Sequence, residues 1–268
     1  MKLKSPYLVK PHAKVKLSRI AADGNGNFSS EQTANTVLVK HCQRLADLQD
    51  VFYASQKKAL LIVLQGMDTA GKDGAISHIF SGINPQGCDV AAFKPPTPLE
   101  ARHDFLWRAH AQVPPRGMIQ IFNRSHYEDI LVPYVHKLIP RKKVSQRLED
   151  ILEFESFLAD NDVVILKFFL HISQDEQTRR LQDRIDTPAK HWKLSESDFR
   201  ERKFWNEYQQ AYEKLLPATS RKHAPWFIIP SDHKWYRNVV ISQILVDVMT
   251  GLKLKYPDPT MDASTIKL

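Results

Sequence analysis

Between Ala59 and Gly74 the chain reads ALLIVLQGMDTAGKDG, and Gly66-Met67-Asp68-Thr69-Ala70-Gly71-Lys72 satisfies G-x-x-x-x-G-K. That spacing turns backbone N–H groups and a helix N-terminus toward phosphate oxygens, while Lys72 adds a point charge. The flanks suit this chemistry: Ala59 to Leu64 reads as a short buried strand, and Asp73 to Phe80 as a helix. The phosphate-binding set is therefore Gly66, Met67, Thr69, Ala70, Gly71, Lys72, Asp73 and Gly74. Two acids depart from the pattern. Asp73 stands where a Ser or Thr hydroxyl usually ligates Mg²⁺, and Asp68 sits inside a loop meant to attract anions. A chance match at a strand–turn–helix junction is the competing reading.

A second group follows the apolar run Met118 to Phe122: Asn123-Arg124-Ser125-His126-Tyr127-Glu128-Asp129. Enzymes with this loop commonly hold Mg²⁺ with an acid at the end of a neighbouring strand. Here that residue is Asn123, an uncharged oxygen ligand, with Glu128 and Asp129 a turn later. Arg124 is placed to clamp a phosphoryl group. Alternatively, Glu128 and Asp129 simply favour a helix N-terminus. From 179 to 193 there are five Lys or Arg against Asp183 and Asp186. Arg180 and Arg184 share a helix face at i, i+4, and Thr187-Pro188 breaks the helix. The segment from about 180 to 198 reads as a lid closing Arg180, Arg184, Lys190 and Lys193 over phosphates; a solvated helix face is the alternative. Lys94 and Arg108 would face the acceptor, with Arg108 suited to a monophosphate, while Phe93 and Trp107 read as packing. The cluster Lys137, Arg141, Lys142, Lys143 and Arg147 reads as surface.

The elements that must position these groups alternate. Residues 1–28 form a basic arm (Lys2, Lys4, Lys10, Lys14, Lys16, Arg19) ending in a turn-rich stretch. Ser29 with Gln32 offers a capping box for a helix to about Ala54. Further strands are expected at Cys88–Phe93, Met118–Phe122, Val163–Leu170 and Trp226–Ile229. Helices are expected over Leu99–Gln112, Arg141–Asp160, Ser173 to about Asp186, Ser195–Leu216 and Tyr236–Leu254, with a loose tail beyond Pro257. In the helix from Arg141, Leu148, Leu152, Glu155 and Leu158 show mixed faces. Alternating strands and helices imply an α/β fold with a parallel sheet flanked by helices, as one domain over 29–268. Ligands in such sheets bind at the carboxyl ends of the strands, where the phosphate loop points.

Composition narrows the partner. The 268 residues are 43% hydrophobic and 25% charged, ordinary for a soluble domain, but the formal charge of +8 favours a polyanion. Nucleic acid, an anionic membrane and a phosphate-rich substrate all qualify. The two cysteines, Cys42 and Cys88, lack metal-ligand spacing and form no disulfide framework, which points to a reducing cytoplasm. No run has transmembrane length, the start has no signal-peptide core, and the scattered histidines show no zinc pattern.

Together these motifs resemble the polyphosphate kinase 2 family: G-M-D-T-A-G-K-D-G at 66–74, F-N-R-S-H-Y-E-D at 122–129, and R-x-x-x-R-x-D-x-P-x-K-x-W-K from Arg180 to Lys193. Asn84-Pro85-x-Gly87, F-L-W-R at 105–108, Ala224-Pro225-Trp226 and Lys234-Trp235-Tyr236-Arg237 add support. The resemblance implies a thymidylate-kinase-like P-loop kinase fold with a helical lid. It also implies reversible transfer of phosphoryl groups between inorganic polyphosphate and nucleotides, AMP and ADP with their guanine counterparts. Mg²⁺ is the implied cofactor, with Mn²⁺ as a substitute, and homodimers or homotetramers are the implied assemblies. An Asp at the position of Asp68 is implied to bind the metal. Many members carry Asp where this chain has Asn123. The N-R-S-H-Y-E-D form resembles the single-domain subgroup acting on both mono- and diphosphates, and it shifts the charged metal role toward Asp129. The catalytic set is then Asp68, Lys72, Asn123, Arg124 and Asp129, with Asp68 and Asp129 on metal.

The chemistry agrees, since phosphoryl transfer needs positioning and charge neutralisation more than covalent help. Lys72, Arg124, Arg180, Arg184, Lys190 and Lys193 would track the polyanion, giving the +8 balance a partner with neither nucleic acid nor membrane. Two other readings stand beside this one. An ATP-dependent nucleoside monophosphate kinase would share the fold, although Asp73 argues against it; a basic nucleic-acid-binding module would be indifferent to Lys72.

Overall fold

Ala59–Gly66 (β1) is buried along its whole length, because it lies at the centre of the sheet with neighbours on both edges and helices on both faces. A strand so placed must be apolar throughout, as ALLIVL is. The structure, a computed structural model, describes residues 5–261; Lys2, Lys4 and the tail beyond Met261 lie outside the described residues.

Helix α1 (Glu31–Ser55) precedes β1, and α2 (Lys72–Ile79) follows it. Then come β2 (Cys88–Ala92), the short α3 (Trp107–His110), β3 (Ile119–Asn123), α4 (Glu128–Val135) and α5 (Arg141–Asp160). The second half runs through β4 (Val163–His171), α6 (Gln174–Asp186), α7 (Glu196–Arg202), α8 (Trp205–Thr219), β5 (Trp226–Pro230) and α9 (Lys234–Gly251). The five strands are all parallel, in the order β2-β3-β1-β4-β5. From β1 the chain leaves toward β2, and from β3 it crosses back to β4. The connections therefore diverge between β1 and β3, which opens a crevice at their carboxyl ends. Leu64 of β1 is level with Asn123 of β3, so the phosphate loop and Arg124 emerge side by side.

Three sequence expectations change. The cap of α1 is Ser30, whose hydroxyl accepts from Thr33 N while Thr33 Oγ1 accepts from Ser30 N, one residue beyond the expected Ser29–Gln32 box. The expected helix over Leu99–Gln112 is broken. Thr97 and Glu100 cap each other and close only a single tight turn, Glu100–Arg102. Asp104 then takes Leu106 N on its own carboxylate, diverting the backbone from a helix until Trp107. The long helix expected from Ser195 splits into α7 and α8 at Phe204, whose ring packs against His136 with centroids 4.6 Å apart. The basic arm packs against the sheet. Val9 N donates to Trp226 O and Ile228 N to Tyr7 O, adding an antiparallel segment that covers the outer edge of β5. Leu17 of the arm is fully buried, and Asp232 N donates to Ala22 O near the carboxyl end of the sheet.

Candidate active site

The loop between β1 and α2 has the backbone that its sequence demands. Gly71 adopts φ +97 and Thr69 φ +64, left-handed values that Gly enters freely and Thr does not. At Gly71 a Cβ would lie 2.0 Å from Arg237 Nη1, so no side chain fits. No side chain caps the start of α2, which leaves its first N–H groups for a ligand. Lys72 folds back along the loop, donating from Nζ to Gly66 O at 3.1 Å and Met67 O at 3.5 Å. Burial pushes its ammonium down to about 8, with the charge of Arg124 adding to the effect.

Behind the loop lie two buried arginines. Arg180 is 5% exposed and spends its donors on protein: Nη1 on Thr69 O and Ala70 O, Nη2 on Ser231 O and Asp232 O, Nε on Glu176. The sequence assigns Arg180 to a lid over polyphosphate; in the structure its guanidinium is committed to the back of the loop. Arg237, 1% exposed, donates to Ala70 O and to its neighbour Asn238. Burial, then the charge of Arg180, push its guanidinium down, as expected of a cation with no carboxylate beside it. Sequence reasoning registered Lys234-Trp235-Tyr236-Arg237 only as a matching stretch. The signal for Arg237 was Gly71, whose missing side chain leaves the space that the guanidinium fills.

In front, the acids and cations interlock. Arg124 holds φ +62 at the end of β3, donating from Nη2 to Asp68 at 2.5 Å and from Nη1 to Glu128 at 3.3 Å. Asn123 Nδ2 donates to Asp73 Oδ1 at 2.7 Å. The acid at 73 and the amide at the strand end are thus partners in one contact; a carboxylate at 123 would meet Asp73 as a like charge.

Asp129 does not join this group. Its Oδ2 accepts from Arg108 Nη2 at 2.7 Å, both side chains are largely buried, and its carbonyl accepts from Arg147. Arg108 also donates to Lys94 O and lies over the Phe93 ring. The sequence assigns Asp129 to a metal and Arg108 to a monophosphate; in the structure the two pair with each other and fix the β2–α3 loop, while Glu128, not Asp129, flanks Arg124. Phe93 packs in the core as expected, but Trp107, also read as packing, is exposed and stacks on His103; Lys94 is exposed.

Over the crevice, α6 continues through a tight turn at Pro188–Lys193 to α7. Arg184 Nη1 donates to Asp198 at 2.9 Å, and burial followed by the charge of Asp68 push the Asp198 carboxyl up, so α7 presents Asp198 toward the loop acid. Lys190 pairs with Asp183 at the surface, and Lys193 lies exposed over the Trp192 ring. Ion pairs of this exposure are worth about 0–1 kcal/mol and exchange readily for another anion. Because residue 71 needs a left-handed backbone and no Cβ, Gly71→Ala is expected to destabilise the fold by about 2–5 kcal/mol. Urea unfolding measures this; a midpoint unchanged from wild type would show that Arg237 does not press on Gly71.

A loop with its amides facing outward, an Arg and an Asp opposed at its mouth, and a basic segment above it also define what this chain is similar to. Residues 28–257 match the family described as Polyphosphate kinase 2. The chain is 46% identical to the AMP/ADP-polyphosphate phosphotransferase of Meiothermus ruber, over 94% of this chain and 95% of that one. It is 41% identical to the ADP-polyphosphate phosphotransferase of Rhodopseudomonas palustris, over 97% and 94%. The crystal structure of Polyphosphate Kinase 2 from Arthrobacter aurescens TC1 superposes with a TM-score of 0.92 at 38% identity, covering 96% of this chain and 92% of that one. With the match running through both the phosphate loop and the Arg124 segment, the chain belongs to the Polyphosphate kinase 2 family.

Proposed function

We propose that this protein transfers phosphoryl groups from inorganic polyphosphate to AMP and to ADP, reversibly and with Mg²⁺. The observation that carries this reading is the opposed pair Asp68–Arg124 at the mouth of a loop whose amides face outward. The terminal phosphate of a nucleotide is already an anionic nucleophile, so the site needs no strong base. It needs cations along both phosphate chains and an acid to balance a metal. Arg124 is 39% exposed and Asp68 17%, so entering phosphates can draw the guanidinium to a phosphoryl oxygen while Asp68 is released. Lys72 and the loop amides hold the group in transfer. Arg184 and Lys190 exchange their carboxylate partners, Asp198 and Asp183, for the polyphosphate tail, and Lys193 adds its exposed ammonium.

Mg²⁺ binds through one or two carboxylates plus substrate phosphates and keeps several waters. Among the described residues no three His, Cys, Asp or Glu side chains gather into a cage. A lone loop acid is the donor set that suits an ion arriving on phosphates. Asp68 would hold it, and the ion would neutralise charge on the phosphoryl oxygens. The relatives' names differ on AMP, and the higher identity is to the relative named for both acceptors. No described helix is long and apolar enough to cross a membrane; a cytoplasmic homo-oligomer is the setting that we propose.

Purified protein with Mg²⁺ and polyphosphate is expected to make ADP from AMP and ATP from ADP when each acceptor is given alone and products are resolved. Absence of both products would sink the proposal, and transfer from ATP alone would replace it with an ordinary nucleotide kinase. Asp68→Asn is expected to abolish Mg²⁺-dependent turnover with the circular dichroism spectrum intact; unchanged Mg²⁺ dependence would place the metal elsewhere. The charged form of Lys72 is the one that binds phosphate, and it is lost as pH rises through about 8. The ratio kcat/KM, which reports the free enzyme, should be level below about 8 and fall above it. Bound phosphate stabilises the ammonium, so kcat should hold to higher pH. A kcat/KM that stays level well into the alkaline range would remove Lys72 from phosphate binding.

A further inference from the structure

Directly beneath the Arg124 turn lies a charged cluster that phosphoryl transfer itself does not use. Strand β4 is buried nearly throughout, yet its midpoint is Lys167, with no side-chain exposure. An unpaired charge there would cost several kcal/mol. All three ammonium donors are instead filled: Nζ donates to Glu155 Oε2 at 2.5 Å, to Tyr127 Oη at 2.9 Å and to Thr219 O at 2.9 Å. Tyr127 Oη donates in turn to Glu155 Oε1 at 2.8 Å, and His126 Nε2 lies 3.4 Å from the same oxygen. Lys167 also sits over the rings of Tyr127 and Trp226. Burial works against the Glu155 carboxylate, but the charge and hydrogen bonds of Lys167 and His126 together outweigh it and hold the carboxyl below its usual range.

An ion pair this deep is not needed for stability, since apolar residues of similar volume often serve as well or better. Its placement suggests what else it does. His126 and Tyr127 are the two residues between the Arg124-Ser125 turn and Glu128, the first residue of α4. Arg124 holds a left-handed backbone, which costs a non-glycine residue about 1–2 kcal/mol and persists only where the surroundings over-determine it. On one side the turn is held by Arg124 N donating to Leu64 O and by the bond between Gln65 and Ser125. On the other it is held by Glu128 N and Tyr127 N, which donate to Ser125, and by what grips residues 126 and 127.

We propose that Lys167, Glu155, Tyr127 and His126 form a buried clamp that positions Arg124 and Glu128 opposite Asp68. Glu155 reaches in from α5, Lys167 from β4, and Thr219 from the end of α8, so the turn is referenced to three elements at once. None of the four side chains touches substrate; they are positioning residues. The proposal rests on the reading of Arg124 and Asp68 as groups that act on phosphate.

The test uses two variants of the full chain. Tyr127→Phe keeps the ring against Trp226 and deletes one hydroxyl. The double variant Glu155→Gln, Lys167→Met removes both charges together, leaving neither unpaired. Each is expected to lower kcat about 10- to 100-fold, the scale of a small misplacement of a transfer group, with the KM for ADP changed less than about twofold. Hydrogen exchange at the Arg124 amide should quicken, while β1 and β4 stay protected. Asp162→Asn, which breaks a surface ion pair with Lys58 far from the turn, is the control for instability and should leave kcat at the wild-type value. If the double variant does not fold, Tyr127→Phe decides alone. Folded variants with wild-type kcat and wild-type exchange at Arg124 would overturn the clamp. If the wild-type protein itself transfers nothing from polyphosphate, the phosphotransferase reading falls, and exchange at Arg124 still decides whether the clamp exists.

Discussion

The carbonyl oxygens of Gly66, Met67, Asp68, Thr69 and Ala70 all accept hydrogen bonds from buried or nearly buried side chains: Lys72, Gln177, Arg180 and Arg237. A backbone segment can offer its N–H groups to phosphate only if its C=O groups are satisfied on the other side, since both are obligatory hydrogen-bonding groups. This constraint accounts for much of the surrounding architecture. It brings α6 and α9 against the back of the loop, because Arg180 and Arg237 come from them. It also forbids a side chain at Gly71, where the Arg237 guanidinium occupies the space.

The same arrangement sets the electrostatics. Arg180 and Arg237 place buried positive charge behind a loop that already carries the partial charge of a helix start and the ammonium of Lys72. A site built only of cations would repel itself when empty. Asp68, Asp73 and Glu128 supply the opposite charge, and each is held by a donor: Asp68 and Glu128 by Arg124, Asp73 by Asn123. These pairs keep the mouth of the loop charge-balanced. Arg184–Asp198 and Lys190–Asp183 repeat the pattern between α6 and α7, the second at greater exposure and hence worth less.

Much of this was legible in the residues. The phosphate loop is a local object: a strand, a fixed spacing of glycines and a helix, all within the reach of sequence periodicity. The buried strands β1 and β4, the helix α5 and the Ser173 cap of α6 follow from equally local rules. The failures were also physical. Thr97, Glu100 and Asp104 took backbone groups onto their own side chains and broke a helix that apolar content favoured. Glu155 among the leucines of α5 and Lys167 inside β4 were each anomalies by themselves. They are complementary once α5 packs on β4, and nothing in either segment names the other.

The sequence by itself determined that the chain builds a parallel α/β sheet, that residues 66–72 form a glycine-spaced loop between a strand and a helix, and that its excess positive charge suits a polyanion. These depend on spacing along the chain, on side-chain type and on summed charge. Only the tertiary structure decided which charges remain available. It withdrew Arg180 to the back of the loop, closed Asp129 on Arg108, joined Asp73 to Asn123, and left Asp68 facing Arg124 at the mouth. The partner of a buried charge is chosen by the packing of elements remote in sequence, and at short range in a low dielectric that choice governs whether the charge can serve a ligand.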